Sequence, residues 1–239
     1  DGRIGAQLVA HPQTAGVVFT GSTEVARIIN RTLAEKDVPI VPLIAETGGQ
    51  NAMIVDSTAL PEQVVDDVLL SAFGSAGQRC SALRVLFIQN EIADKVISLL
   101  KGAIPLLRLG NPHLVATDIG PVIDAEALEK LKGHRLYLDS FAKFVAESSL
   151  PDDATQDTYF APCAYEIDSL SRLDSEVFGP ILHIIRFASQ DLPHIIKDIN
   201  ASGYGLTFGL HSRLGSRHQL VGQMLRAGNI YINRNMIGA

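Results

Sequence analysis

Cysteine is scarce in this chain: two residues, Cys80 and Cys163, among 239. That is too few for a disulfide framework and fits a reduced, cytoplasmic setting. No apolar run reaches the ~18–20 residues that span a bilayer, and no signal peptide opens the chain, so no transmembrane segment is expected. Peripheral attachment of a longer parent at the inner membrane face stays open. Positive charge is also sparse. The net charge is −6 with a pI near 5.6, and no dense basic run offers a footprint for nucleic acid. The seven histidines lack the spacing of zinc ligands, so no metal site is expected. The Gly-x-Gly-x-x-Gly dinucleotide fingerprint is absent as well. What remains, 46% hydrophobic and 19% charged, is the composition of a globular chain with ample length for a packed core.

The pattern along the chain is α/β. Apolar runs at 16–20, 38–45, 51–55, 83–89, 181–187, 206–211 and 229–233 read as strands. Helical spacing appears at 3–10, 24–35, from about 57 to 76, 92–100, 125–145, 192–200 and 214–227. The Gly-, Pro- and Asn-rich segment 108–124 reads as loop, and 148–158 as a polar spacer. Strand–helix alternation of this kind argues for parallel βαβ units.

Two segments carry candidate chemistry. Phe73-Gly74-Ser75-Ala76-Gly77-Gln78-Arg79-Cys80-Ser81 places a thiol after a glycine-punctuated turn, where a soft nucleophile is open to attack a ligand. Ala45-Glu46-Thr47-Gly48-Gly49 places a carboxylate where a strand breaks into a double glycine. A lone cysteine is ordinarily inert packing, and Cys163 reads that way. Cys80 is set apart by its context. Phe19-Thr20-Gly21-Ser22-Thr23-Glu24-Val25 adds small residues and a hydroxyl at a helix N-terminus, a place that presents free N–H groups to an anion or serves as a simple cap. Glu176-Val177-Phe178-Gly179-Pro180 leads into a strand. By itself it reads as a surface carboxylate, as His11 and His183 read as satisfied core or surface groups. Arg79 either raises the potential beside the thiol or, better, forms a structural ion pair.

Phe-x-x-x-Gly-Gln-x-Cys and Glu-x-Gly-Gly, in this order and separation, resemble the nucleophile and general-base motifs of the NAD(P)-dependent aldehyde dehydrogenases. Phe-Thr-Gly-Ser-Thr-Glu-Val resembles the family's cofactor segment. The resemblance runs from Gly16 to Ala239. With Ala45–Asp56, Ser75–Val85, Asp118–Asp124, Ile199–Thr207 and Asn233–Ala239 it is similar to the L-glutamate γ-semialdehyde (Δ1-pyrroline-5-carboxylate) dehydrogenase modules of bifunctional proline-oxidising bacterial enzymes.

The resemblance implies an aldehyde dehydrogenase-like α/β fold. Residues 1–47 would be the C-terminal part of the NAD-binding domain, and 48–239 the cysteine-bearing catalytic domain, truncated at its C-terminus. It implies that Cys80 is the nucleophile and Glu46 the base. Gly21, Ser22, Val25, Thr47, Gly48, Glu176 and Phe178 would contact NAD, with Ser22 at the pyrophosphate, Val25 near the adenine and Glu176 on the nicotinamide ribose. Ser81, Gly238 and Ala239 would hold the substrate carboxylate of a small-molecule aldehyde. FAD is expected only in a separate proline dehydrogenase domain of a parent protein, and the parent is expected to be a homo-oligomer. The unit opens at Asp1 without an initiator methionine and is about half the family's usual length, so the isolated chain is expected to be inactive. A different aldehyde specificity, a catalytically silent binding module and cofactor-free acyl transfer or ester hydrolysis are the alternatives.

Overall fold

The computed structural model describes residues 2–150 and 158–238. The chain divides into two compact units, Asp1–Gly48 and Gly49–Ala239. In the first, helix α1 (Gly2–Ala10) precedes β1 (Val17–Thr20), α2 (Thr23–Ala34) and β2 (Leu43–Glu46). Strands β1 and β2 pair in parallel, Thr20 opposite Glu46, as a two-stranded sheet. Ser22 caps α2 by accepting the Val25 N–H, and Ala26, Ile29 and Leu33 form the helix's buried stripe. The strand read over 38–45 is shorter than its apolar pattern suggests. Pro39 and Pro42 deny the ladder two donors, and pairing starts only at Leu43.

The second unit is built on a seven-stranded sheet. Its strands are β3 (Ala52–Val55), β4 (Val85–Gln89), β5 (Lys143–Glu147), β6 (Cys163–Glu166), β7 (Ile181–Phe187), β8 (Thr207–His211) and β9 (Asn229–Ile232), in the spatial order β5-β6-β7-β4-β3-β8-β9. All neighbours are parallel except β5, which pairs antiparallel with β6 at one edge. Every residue of β3, β4 and β8 is buried, which explains why these strands read as continuous apolar runs rather than alternating ones. Among the described residues, five α-helices connect them: α3 (Pro61–Phe73), α4 (Asn90–Ala103), α5 (Ala125–Asp139), α6 (Leu192–Ala201) and α7 (Gly215–Met224). Among the described residues, no helix is long and apolar enough to cross a membrane.

Two helix readings are corrected. The helix read to about Ala76 stops at Phe73, because Ser75, Ala76 and Gly77 all take left-handed backbone angles, with φ of 56°, 54° and 64°. The helix read over 125–145 ends at Asp139, and Lys143–Glu147 forms strand β5 instead. A half-exposed edge strand has little apolar contrast of its own, so the helical spacing ran on into it.

Candidate active site

Because β3, β4, β7, β8 and β9 run parallel, their amino ends share one edge of the large sheet. The loops entering that edge carry the candidate residues: Asn51 before β3, Cys80 to Arg84 before β4, Glu176 to Pro180 before β7. In open parallel sheets ligands commonly sit at the carboxyl ends. Cys80 is on the opposite edge. In the first unit the arrangement is the usual one: Glu46 ends β2, and the Gly21 N–H donates to its carbonyl at 3.1 Å just past β1.

Three consecutive left-handed residues set the course of the chain toward Cys80. Left-handed angles cost about 1–2 kcal/mol at each non-glycine residue, so Ser75 and Ala76 need support from around them. Arg79 Nε donates to Ser75 Oγ at 3.0 Å, an interaction in place of the expected ion pair. Gln78 Oε1 accepts the Ile123 N–H at 2.7 Å while its Nε2 donates to the Pro121 carbonyl. Gly77 is required for space as well as angle, since a Cβ there would collide with the Gly179 carbonyl.

Beyond the turn, the Cys80 thiol is free and exposed. Its carbonyl turns inward, where Asn51 Nδ2 donates to it at 2.6 Å and to the Ala82 carbonyl at 2.9 Å. Asn51 Oδ1 accepts the Thr207 N–H, and Thr207 Oγ1 donates to the Ser81 carbonyl at 3.2 Å. Ser81 is buried. Neither the Cys80 nor the Ser81 N–H bonds to another of the described residues, which leaves both able to donate to an oxyanion.

Arg84, absent from the sequence-based candidates, organises this edge. Its guanidinium is buried and donates to the carbonyls of Gly77 (2.5 Å), Arg79 (3.0 Å) and Gly179 (3.4 Å), and to Glu176 Oε1 (3.0 Å). Burial pushes its pKa down and Glu176 opposes that push. The guanidinium also lies 5.1 Å from the centroid of the exposed Phe178 ring. A charged residue inside Leu83-Arg84-Val85-Leu86, an otherwise apolar strand start, was the signal that could have found it. Asn51, the other residue sequence reasoning passed over, gave no comparable signal.

The structure therefore brings Cys80, Ser81, Glu176 and Phe178 onto one edge of the second unit. Gly21, Ser22 and Val25 lie exposed around the start of α2, and Glu46 is exposed at the end of β2; Thr47 and Gly48 are half-buried after it. These six belong to the first unit. Gly238 is exposed, and Ala239 lies outside the described residues. His183 is fully buried. Its Nδ1 donates to the Arg84 carbonyl at 2.9 Å, which makes its Nε2 the acceptor for His134 Nε2 at 2.8 Å. Burial holds His183 at about 3 and His134 at about 4, so both are neutral. Burial also lifts Cys163 to about 12, well out of nucleophilic range. No group of three or more metal-ligating side chains occurs among the described residues.

A parallel α/β sheet with a strained cysteine turn at its amino edge matches one family over its whole length: the aldehyde dehydrogenase family model covers residues 1–239, and the chain belongs to that family. Among curated relatives it is 50% identical to bifunctional protein PutA of Escherichia coli, over 99% of this chain and 18% of that protein. It is 32% identical to a 1-pyrroline-5-carboxylate dehydrogenase of Geobacillus kaustophilus, over 99% of this chain and 46% of the relative. A crystal structure of bifunctional proline utilization A superposes with a TM-score of 0.96 at 54% identity, over all of this chain and 24% of that one. A Thermus 1-pyrroline-5-carboxylate dehydrogenase with bound NAD gives 0.87 at 28% identity, over 99% of this chain and 46% of that one. The chain thus spans less than half the length of these relatives.

Proposed function

We propose that this chain carries the catalytic cysteine of an NAD-dependent aldehyde dehydrogenase that oxidises L-glutamate γ-semialdehyde to L-glutamate, the second step of proline breakdown. The observation that carries the reading is the Cys80 turn: an exposed thiol, its carbonyl pinned inward by Asn51, and two adjacent N–H groups that bond to none of the described residues.

Cys80 attacks the aldehyde carbon, and the Cys80 N–H donates to the oxygen as it gains charge. NAD, when bound, supplies the hydride acceptor that takes the thiohemiacetal to a thioester. The residues present fit that cofactor. Gly21 and Ser22 open the N-terminus of α2, where free N–H groups suit a pyrophosphate. Val25 is exposed one turn further on, and Thr47 and Gly48 follow Glu46. Glu176 uses Oε1 for Arg84, and its Oε2 has no hydrogen bond to any of the described residues, so it can accept from ribose hydroxyls. Phe178 offers an exposed ring beside it.

Glu46 takes the proton of the water that hydrolyses the thioester. Ser81 and Gly238, with Ala239, hold the substrate's α-carboxylate through a hydroxyl and main-chain N–H groups. A chain limited to residues 1–239 is inactive, and the full-length protein acts as a homo-oligomer in the cytoplasm.

The test is NADH formation from L-glutamate γ-semialdehyde by the full-length protein. Cys80→Ala abolishes it; a variant retaining substantial activity removes Cys80 from the chemistry.

A further inference from the structure

We infer that Ser71, on the face of α3 below the nucleophile turn, is a positioning residue that sets the enzyme's selectivity for a carboxylated aldehyde. This rests on the proposed role of the segment ending at Gly238 and Ala239.

Gln63, Asp67 and Ser71 recur every four residues along α3, so they share one face of the helix, and Gly74 continues that face at its end. Segment 233–237 lies along this row. Gln63 Nε2 donates to the Asn233 carbonyl at 2.7 Å. Asn235 faces the Asp67 carboxylate with backbone and side-chain amides, opposing the upward push that burial gives that group. Ser71 Oγ accepts the Met236 N–H at 3.1 Å and donates its own proton to the Asp67 carbonyl at 2.5 Å. Ile237 Cδ1 sits over Gly74, 3.6 Å from where a Cβ would stand.

Asp67 also meets His211 Nε2 at 3.4 Å, but Ser71 is the residue of the row that reaches the nucleophile segment. Its carbonyl accepts the Leu83 N–H at 2.9 Å, two residues beyond Ser81. A single fully buried serine therefore ties the nucleophile segment to the segment that ends at Gly238. Both ends of the substrate are gauged from it: the aldehyde at Cys80, and the carboxylate at Ser81 and the Gly238 N–H. An aldehyde without a carboxylate uses only the first of these, so loss of the tether reaches only substrates that use both.

In the full-length enzyme, Ser71→Ala is expected to raise KM for L-glutamate γ-semialdehyde about 5-fold, the equivalent of one hydrogen bond. KM for propanal, which has no carboxylate, shifts less than about 2-fold, because the lost interaction is absent from its complex. The Met236 amide also exchanges faster with deuterium. Equal KM shifts on the two aldehydes, or unchanged Met236 exchange, overturn the inference. If Ser71→Ala does not fold, Ser71→Cys, which fills the same space but accepts the Met236 N–H only weakly, carries the same test. Ser81→Ala measured alongside separates the two failures. Discrimination by Ser81→Ala but not by Ser71→Ala sinks the tether alone. No discrimination by either sinks the carboxylate reading on which it rests.

Discussion

Arg84 and Glu176 form a 3.0 Å ion pair between the loops that enter neighbouring strands β4 and β7, with side chains 1% and 14% exposed. The same guanidinium holds the Gly77 and Arg79 carbonyls, so one cation joins the nucleophile turn to the Glu176–Phe178 segment. Residues assigned separately to thiol chemistry and to cofactor binding therefore share a support.

Removing that support should damage the fold more than removing its partner. Arg84→Met strands a half-buried carboxylate and the Gly77 carbonyl, while the Arg79 and Gly179 carbonyls keep the Ala82 and Ile181 N–H donors; breaking a buried pair this way costs about 3–5 kcal/mol. Glu176→Gln keeps an oxygen that can accept from Arg84, so its loss should be nearer 1–2 kcal/mol. Urea unfolding of the two variants gives the order. If Glu176→Gln proves the more damaging, Arg84 does not anchor this edge.

Gly77 answers two demands at once, a φ of 64° and contact with the Gly179 carbonyl. Gly77→Ala has to shift one backbone segment against the other, and it adds about 1–2 kcal/mol of left-handed strain. The expected result is a lower unfolding midpoint with a larger loss in kcat than in substrate KM, because the displaced group is the proposed nucleophile, Cys80. A variant with parental kcat would show that the turn tolerates movement.

Histidine burial sets a pH window. His183 titrates near 3 in the folded chain against about 6.5 when unfolded, so below pH 6.5 the unfolded state binds a proton that the folded state refuses. Stability contributed by neutral His183 is intact above pH 6.5 and is lost progressively as pH falls toward 3, amounting to about 2 kcal/mol by pH 5. His134 and His211, both lowered to about 4 by burial, act in the same direction. Urea midpoints at pH 7.5 and 5 should fall apart less in His183→Asn than in the parent. Equal slopes would mean that His183 charges without opening its packing.

Strands β3, β4 and β7 were readable because burial writes apolar runs at 52–55 and 85–89, and a run broken only by His183 and Arg186 at 181–187. Strands β5 and β6 were not read. In β5, Lys143 and Phe144 are exposed, and the preceding helix α5 has its own apolar spacing to absorb them. Segment 38–42 was misread for a different reason: apolar content outweighed two prolines whose missing N–H groups decide the matter. At the site, Cys80 and Glu46 stand beside glycines and so announce themselves locally. Arg84 and Asn51 act through partners up to 95 and 156 residues away, and no spacing rule reports contacts of that reach.

Glu46 ends β2 with its side chain exposed and its carbonyl taken by the Gly21 N–H, so the backbone is fixed while the carboxylate stays available. If that carboxylate activates the deacylating water, its removal should leave the earlier steps intact. Glu46→Gln keeps the size and one oxygen but cannot take a proton at neutral pH. In the full-length enzyme, stopped-flow mixing with the semialdehyde should then show a burst of about one NADH per site. Steady-state turnover should follow at ~10²–10⁴-fold below the parental rate, the usual contribution of a general base. The acyl-enzyme at Cys80 should accumulate and be visible by intact-mass spectrometry. Loss of the burst itself would place Glu46 before hydride loss, and parental turnover would remove it from the reaction.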